Sequence, residues 1–220
     1  MKSMSRPYID VGRTGQKRRT LDALVAAARQ LVADGAAPTV DDAALLAGVA
    51  RSTAYRYFPG QRELLAAAHP ETAATSLLPE NPPADVAERL DAVVIEFTRM
   101  IVETEAQQRT MLRLSLGQTA DERRSLPLRQ GRAIVWIAEA LSPLQGRMTE
   151  QDIHRLVLAI RSAIGIEALI WLTDIAGLSR DEAVASQRWT ARALLQQALR
   201  QGPPPSAGSL TAHDPPQFGP

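Results

Sequence analysis

The stretch from Thr39 to Tyr57 leaves little choice of fold, because two short helical segments are separated by only Leu46-Ala47-Gly48-Val49. Gly48 suits so tight a turn, since glycine takes positive φ without steric cost. Thr39 is a natural N-cap for the first segment, with Asp41 and Asp42 in the opening turn where the helix dipole favours negative charge. The second segment runs from about Arg51 to Tyr57 and is broken by Phe58-Pro59-Gly60, after which Gln61–Ala68 starts another helix. Two helices joined by a short glycine-containing turn form a helix-turn-helix. Ahead of it, Leu21, Leu24, Val25, Ala28, Leu31 and Val32 recur at helical spacing, one apolar stripe ended by Gly35. Val40, Ala43, Ala44, Val49, Ala54 and Phe58 are expected to pack with that stripe. Arg51, Ser52, Thr53, Tyr55, Arg56 and Tyr57 are then left on a second helix of barely two turns.

Charge singles out the same end of the chain. The net charge is +1, yet residues 1–62 hold ten Lys/Arg against five Asp/Glu, and the remainder holds fifteen against nineteen. A basic front on a mildly acidic body is what a chain needs if one end meets a polyanion. The exposed groups of the second helix are guanidinium, hydroxyl and phenol. They donate to phosphate oxygens, and arginine also reads guanine bidentately in the major groove. The basic run Lys17-Arg18-Arg19 leads into the first helix, and residues 1–16, with Pro7, Gly12 and Gly15, read as a flexible basic arm carrying Lys2, Arg6 and Arg13.

The segment TVDDAALLAGVARSTAYRYFPGQRELL, residues 39–65, resembles the TetR family of bacterial transcriptional regulators. The family places threonine at the start of the second helix, Ala-Gly-Val in the turn, and threonine, tyrosine and phenylalanine in the recognition helix. Thr39, Ala47-Gly48-Val49, Thr53, Tyr55 and Phe58 occupy those positions here, with Leu64 beyond. The resemblance implies that Lys17, Arg18, Arg19, Thr39, Arg51, Ser52, Thr53, Tyr55, Arg56, Tyr57 and Arg62 form the DNA-contacting set. The chain departs from the family pattern at Ala50, where serine is common, at Gln61, where lysine is common, and at Asp41, where a basic residue is frequent.

Beyond the Pro79–Pro83 run, only helical periodicity is visible. An apolar stripe at Val86, Leu90, Val93, Val94, Phe97 and Ile101 is followed by helices at about Gln107–Leu116 and Asp121–Leu141, a long one from about Thr149 to Ile175, and a last one from about Ser179 to Arg200. Pro127 leaves the start of the Asp121 helix open, and Pro70 is expected to kink or end the helix begun at Gln61. The segment from Leu156 to Leu178 is apolar enough to suggest a membrane span. It contains Arg161, Glu167 and Asp174, each costing roughly 2.5–3.5 kcal/mol near a bilayer centre, so a buried helix is expected. Residues 202–220, with six prolines and three glycines, are expected to be disordered.

The expected architecture is therefore all-α: a flexible arm (1–16), a three-helix helix-turn-helix DNA-binding domain (17–68), a helical ligand-binding and dimerisation domain (69–201), and a proline-rich tail (202–220). By resemblance the body holds a cavity for a small apolar or amphipathic effector. Phe97, Met100, Met111, Trp136 and Trp171 are its candidate walls, and Arg113, Arg132 and His154 its candidate polar groups. Ile164, Leu172, Val184, Ala191 and Leu195, on the last two long helices, are the candidate homodimer interface. The expected partners are double-stranded DNA, a second copy of the chain and a small-molecule effector, with no membrane and no cofactor. With no cysteine and three histidines at no ligand spacing, thiol chemistry and a Cys or His metal site are not expected, and no acid–base constellation points to an enzyme. The polar N-terminus lacks a secretion signal, so the cytoplasm is the expected compartment. The expected role is a repressor on a pseudo-palindromic operator, the alternative being a DNA-binding regulator with no small-molecule inducer.

Overall fold

The computed structural model describes residues 8–69, 71, 74–121 and 131–205. Residues 1–7 of the expected arm, 206–220 of the expected tail, Pro70 and Pro127 lie outside the described residues. All regular structure among the described residues is helical: α1 (Tyr8–Ala33), α2 (Val40–Leu46), α3 (Arg51–Tyr57), α4 (Gln61–Ala68), α5 (Val86–Glu103), α6 (Glu105–Leu116), α7 (Arg132–Ala140), α8 (Glu150–Ala163), α9 (Ile166–Ile170) and α10 (Arg180–Gln201). A single 3-10 turn (Ser142–Leu144) follows α7, and a π-turn (Trp171–Ile175) continues α9.

These helices make two compact units. The first takes residues 1–75 and 100–130, the second 76–99 and 131–220, so the boundary falls within α5. In the first unit, Leu24, Ala27 and Ala28 of α1 pack with Val40, Ala43 and Ala44 of α2, Ala54 of α3, Phe58, and Leu64 and Ala68 of α4. Alanine at the crossings lets the short helices approach closely around Phe58, the one large ring in this core. The α2–α3 turn is held by Val49 N–H on the Ala44 carbonyl (2.9 Å) and by Gly48 at φ +64. Helix α6, placed by its position in the sequence with the body, packs on α1 instead: Met111 is buried with Val32 and Leu65, and Leu114 covers them.

Three helix limits differ from the sequence expectation, one being the helix expected over Asp121–Leu141, which starts only at Arg132 because Gly131 ahead of it takes the left-handed φ of 65. The first helix starts at Tyr8 and not near Lys17, so it runs through Gly12 and Gly15. Glycine in a helix interior costs only about 1 kcal/mol, a penalty that does not stop a helix. The hard stop is a proline, and Pro7 stands just ahead of the helix, where proline is tolerated. The expected long helix from Thr149 to Ile175 is two helices. Ile164 is extended (φ −127, ψ 155) and Gly165 takes φ 116, ψ −170, a conformation that is essentially glycine-only. The amide freed by the break is not left unpaired, because Gly165 N–H donates to Oε1 of the buried Gln187 on α10 (2.7 Å). By length and composition the segment Glu150–Ile175 could cross a membrane. The bend divides it, however, and carries Arg161 and Glu167 as an ion pair across the break (3.4 Å).

In this second unit, Phe97 of α5 meets Trp136 of α7 edge-to-face with ring centroids 6.0 Å apart, and the Arg161 guanidinium lies over Phe97 at 5.6 Å. Arg89 on α5 caps the end of α7: Nε donates to the Ala140 carbonyl (3.1 Å) and Nη2 to the Glu139 carbonyl (3.1 Å). These are carbonyls the helix itself leaves unpaired, at its negative end. Asp91 ties α5 to α10 by accepting from Arg188 (3.1 Å) and Arg192 (2.6 Å). Burial pushes the Asp91 carboxyl up, but hydrogen bonds from Arg188 and Arg192 outweigh it and hold the carboxyl below its ordinary value.

Candidate nucleic-acid interface

Helix α3 buries a single residue, Ala54, and that decides which side chains it presents. Arg51, Ser52 and Arg56 are exposed and Tyr55 is 40% exposed. Thr53 is half-buried. Tyr57 is half-buried as well and packs against the amino-terminal core, beside Phe58 rather than beside Arg56. Only part of its side chain reaches the exposed face.

The carboxylates at the start of α2 set the rest of the surface. Thr39 and Asp42 close a reciprocal capping box: Asp42 N–H donates to Thr39 Oγ1 (3.2 Å), and Thr39 N–H donates to Asp42 Oδ2 (2.8 Å). Hydrogen bonds from the Thr39 hydroxyl and then from its backbone amide hold the Asp42 carboxyl below its ordinary value. Asp41 turns away from this cap and forms an ion pair with Arg51 at the first position of α3. Arg51 also lies over the Tyr55 ring, 6.0 Å from its centroid. Hydrogen bonding to Tyr55, followed by the charge of Asp41, raises the Arg51 pKa above its ordinary value.

Gln61 is exposed, but its amide is committed to the backbone. Its Nε2 donates to the carbonyls of Ala37 (2.8 Å) and Pro38 (3.1 Å), tying the start of α4 to the loop that leads into α2. Arg62 beside it is half-buried. Lys17, Arg18 and Arg19 are exposed, but they lie inside α1 and so fan around it at about 100° intervals, and Arg18 is 3.9 Å from Asp22.

Residues 23–68, which span all of this surface except the basic run of α1, match the family of bacterial regulatory proteins called the tetR family. The chain carries a TetR-family helix-turn-helix domain at residues 23–68. Its fold is similar to that of a TetR transcriptional regulator from Rhodococcus sp. RHA1, with a TM-score of 0.55 at 21% identity, over 83% of this chain and 98% of that one. No curated protein matches the chain.

The residues expected to line an effector cavity are divided between the two units. Phe97 and Trp136 fill the core of the second unit against each other. Met111 is in the core of the first unit, and Arg113 donates to the Gly35 carbonyl there (2.8 Å). Met100 also belongs to the first unit and is half-buried, while Arg132 is half-buried at the start of α7 in the second. His154 is exposed and lines an open cavity of about 830 Å³ with Met148, Ile153 and Val157, between the end of α7 and the start of α8. Trp171 is 60% exposed beside a smaller cleft of about 350 Å³ formed with α10. Large side chains are the natural filling of a helical core, and size alone does not distinguish wall from filling.

The expected interface residues divide in the same way. Ile164, Ala191 and Leu195 are buried within their own unit, and Leu172 and Val184 are half-buried. Among the apolar side chains that do face outward in the second unit are Trp189 at 71%, Ile175 at 73% and Trp171. Trp189 carried a readable signal, since it is a large apolar ring between Arg188 and Arg192, off the stripe that packs inward.

Proposed function

We propose that the chain is a repressor that binds a pseudo-palindromic operator as a homodimer in the cytoplasm and is released by a small apolar or amphipathic effector. The observation that carries the DNA-reading part is α3: a two-turn helix that buries only Ala54 and offers Arg51, Ser52, Tyr55 and Arg56 to solvent at the end of the chain where basic residues predominate. A dimer presents two such helices to successive major grooves, with half-sites about 34–36 Å apart or a multiple of that. Support for self-association comes from the outward Trp171, Ile175 and Trp189, since exposed apolar groups of this size mark association surfaces. The 830 Å³ cavity beside His154 is of the size that takes a small molecule. An effector there acts by binding two conformers of the chain unequally.

Selection of bound fragments from host DNA by the purified protein tests this. The expected result is one inverted repeat, and only salt-sensitive, sequence-blind retention counts against it. Arg51→Ala is expected to weaken operator binding by roughly five- to a hundredfold and to relax base preference at one position in each half-site, measured on a panel of substituted duplexes. The second reading, a DNA-binding regulator without an inducer, is favoured by the burial of Phe97 and Trp136 in the core of the second unit and of Met111 in that of the first, side chains otherwise expected to wall a cavity.

A further inference from the structure

Helix α2 opens with two adjacent carboxylates, and one helical step of about 100° gives them different work. Asp42 closes the cap with Thr39, as a first-turn acid does in many helices. Asp41 points across the turn, and its Oδ2 pairs with Nη2 of Arg51. Its other oxygen, Oδ1, is buried without a hydrogen-bond partner, which is a cost that a cap or a solvated surface charge would not carry. The Asp41 side chain is 36% exposed and that of Arg51 74%, so the carboxylate backs the guanidinium from the protein side and leaves its outer face open. The Tyr55 ring, 6.0 Å away, flanks it from within α3.

We propose that Asp41 is a positioning residue that determines specificity, by holding Arg51 for a guanine edge and keeping it off the phosphate backbone. This rests on the reading of α3 as the helix that enters the major groove. An arginine free in solvent collapses readily onto the nearest phosphate, the sequence-independent contact. A carboxylate at its back opposes that attraction and restricts its rotamers. The ion pair occupies one of the five guanidinium N–H donors, and a bidentate guanine contact needs two of the rest. The acidic residue at a position where the family often has a base thus exchanges backbone affinity for discrimination.

The test uses the full chain on its selected repeat, on duplexes with each half-site base pair replaced in turn, and on an unrelated duplex of equal length. Arg51→Ala identifies the base pair that Arg51 reads. Asp41→Asn is expected to lower discrimination at that same base pair by about five- to tenfold, to leave the other positions unchanged, and to hold or tighten binding to the unrelated duplex. Added to Arg51→Ala, it is expected to cause no further loss of discrimination. Asp41→Ser, which keeps a small polar side chain in the first turn, replaces Asp41→Asn should the latter lower the unfolding midpoint. Undiminished discrimination in the Asp41 variants overturns the proposal, as does an equal loss at every position, which would mark Asp41 as support for α2 alone. Should Arg51→Ala itself leave every base preference intact, the placement of α3 in the groove fails, and the role of Asp41 with it.

Discussion

Thr39 shows how one side chain can do two things at the start of a short helix. Its hydroxyl accepts from the Asp42 amide and donates to the Asp42 carboxylate, and its backbone amide is paired as well. In a helix of seven residues the ends are most of the element, so a cap matters more here than in α1. Thr39→Ala is expected to destabilise the first unit by about 1 kcal/mol, read as a lowered denaturant midpoint with an unchanged m-value. Gln61 makes the complementary point. It departs from the lysine common there in the family, and its amide ties two loop carbonyls, a role that residue type alone could not announce.

Helices in this chain are defined as much by what interrupts them as by what continues them. Gly165 separates α8 from α9 in a conformation closed to other residues, and a Cβ built on it would lie 2.7 Å from Arg161 Nη1. Gly165→Ala is therefore expected to cost about 1–3 kcal/mol of stability through backbone strain alone, with any displacement of Arg161 adding to it; thermal unfolding measures the sum. Between α5 and α10, Asp91 has a folded pKa below its unfolded value of about 3.9. Its contribution to stability is full above that value and is lost as pH falls through the lower, folded one. Asp91→Asn is expected to lower stability at pH 7 by about 1–2 kcal/mol, and to flatten the loss of stability on acidification below pH 4, measured by denaturant titration at several pH values.

At the level of the molecule, apolar side chains that its own two cores leave unused are the ones available to a partner. Trp189 and Ile175 are large, apolar and more than two-thirds exposed. Trp189→Glu is expected to leave the fold intact and to shift sedimentation toward the monomer. Operator affinity should fall with it, because two half-sites bound by separate monomers lose the gain in effective concentration. A variant that remains dimeric would move the interface elsewhere.

The amino-terminal unit was largely legible from residues 39–65, because capping, a tight glycine turn and a compact apolar set are local properties of adjacent residues. The helical class of the body was equally plain from its periodicity. Destinations were not. Periodicity reports that Ile164, Ala191, Leu195, Phe97 and Met111 face something apolar, but the same stripe serves a core, a cavity wall or a partner. The choice among these is made by packing between segments distant in the chain. That packing sent Met111 to α1, paired Phe97 with Trp136, and gave the amide freed at Gly165 an acceptor on Gln187, 22 residues away. Local chemistry is written in neighbouring residues; the sharing of buried surface and of unpaired polar groups is settled only when the whole chain is folded.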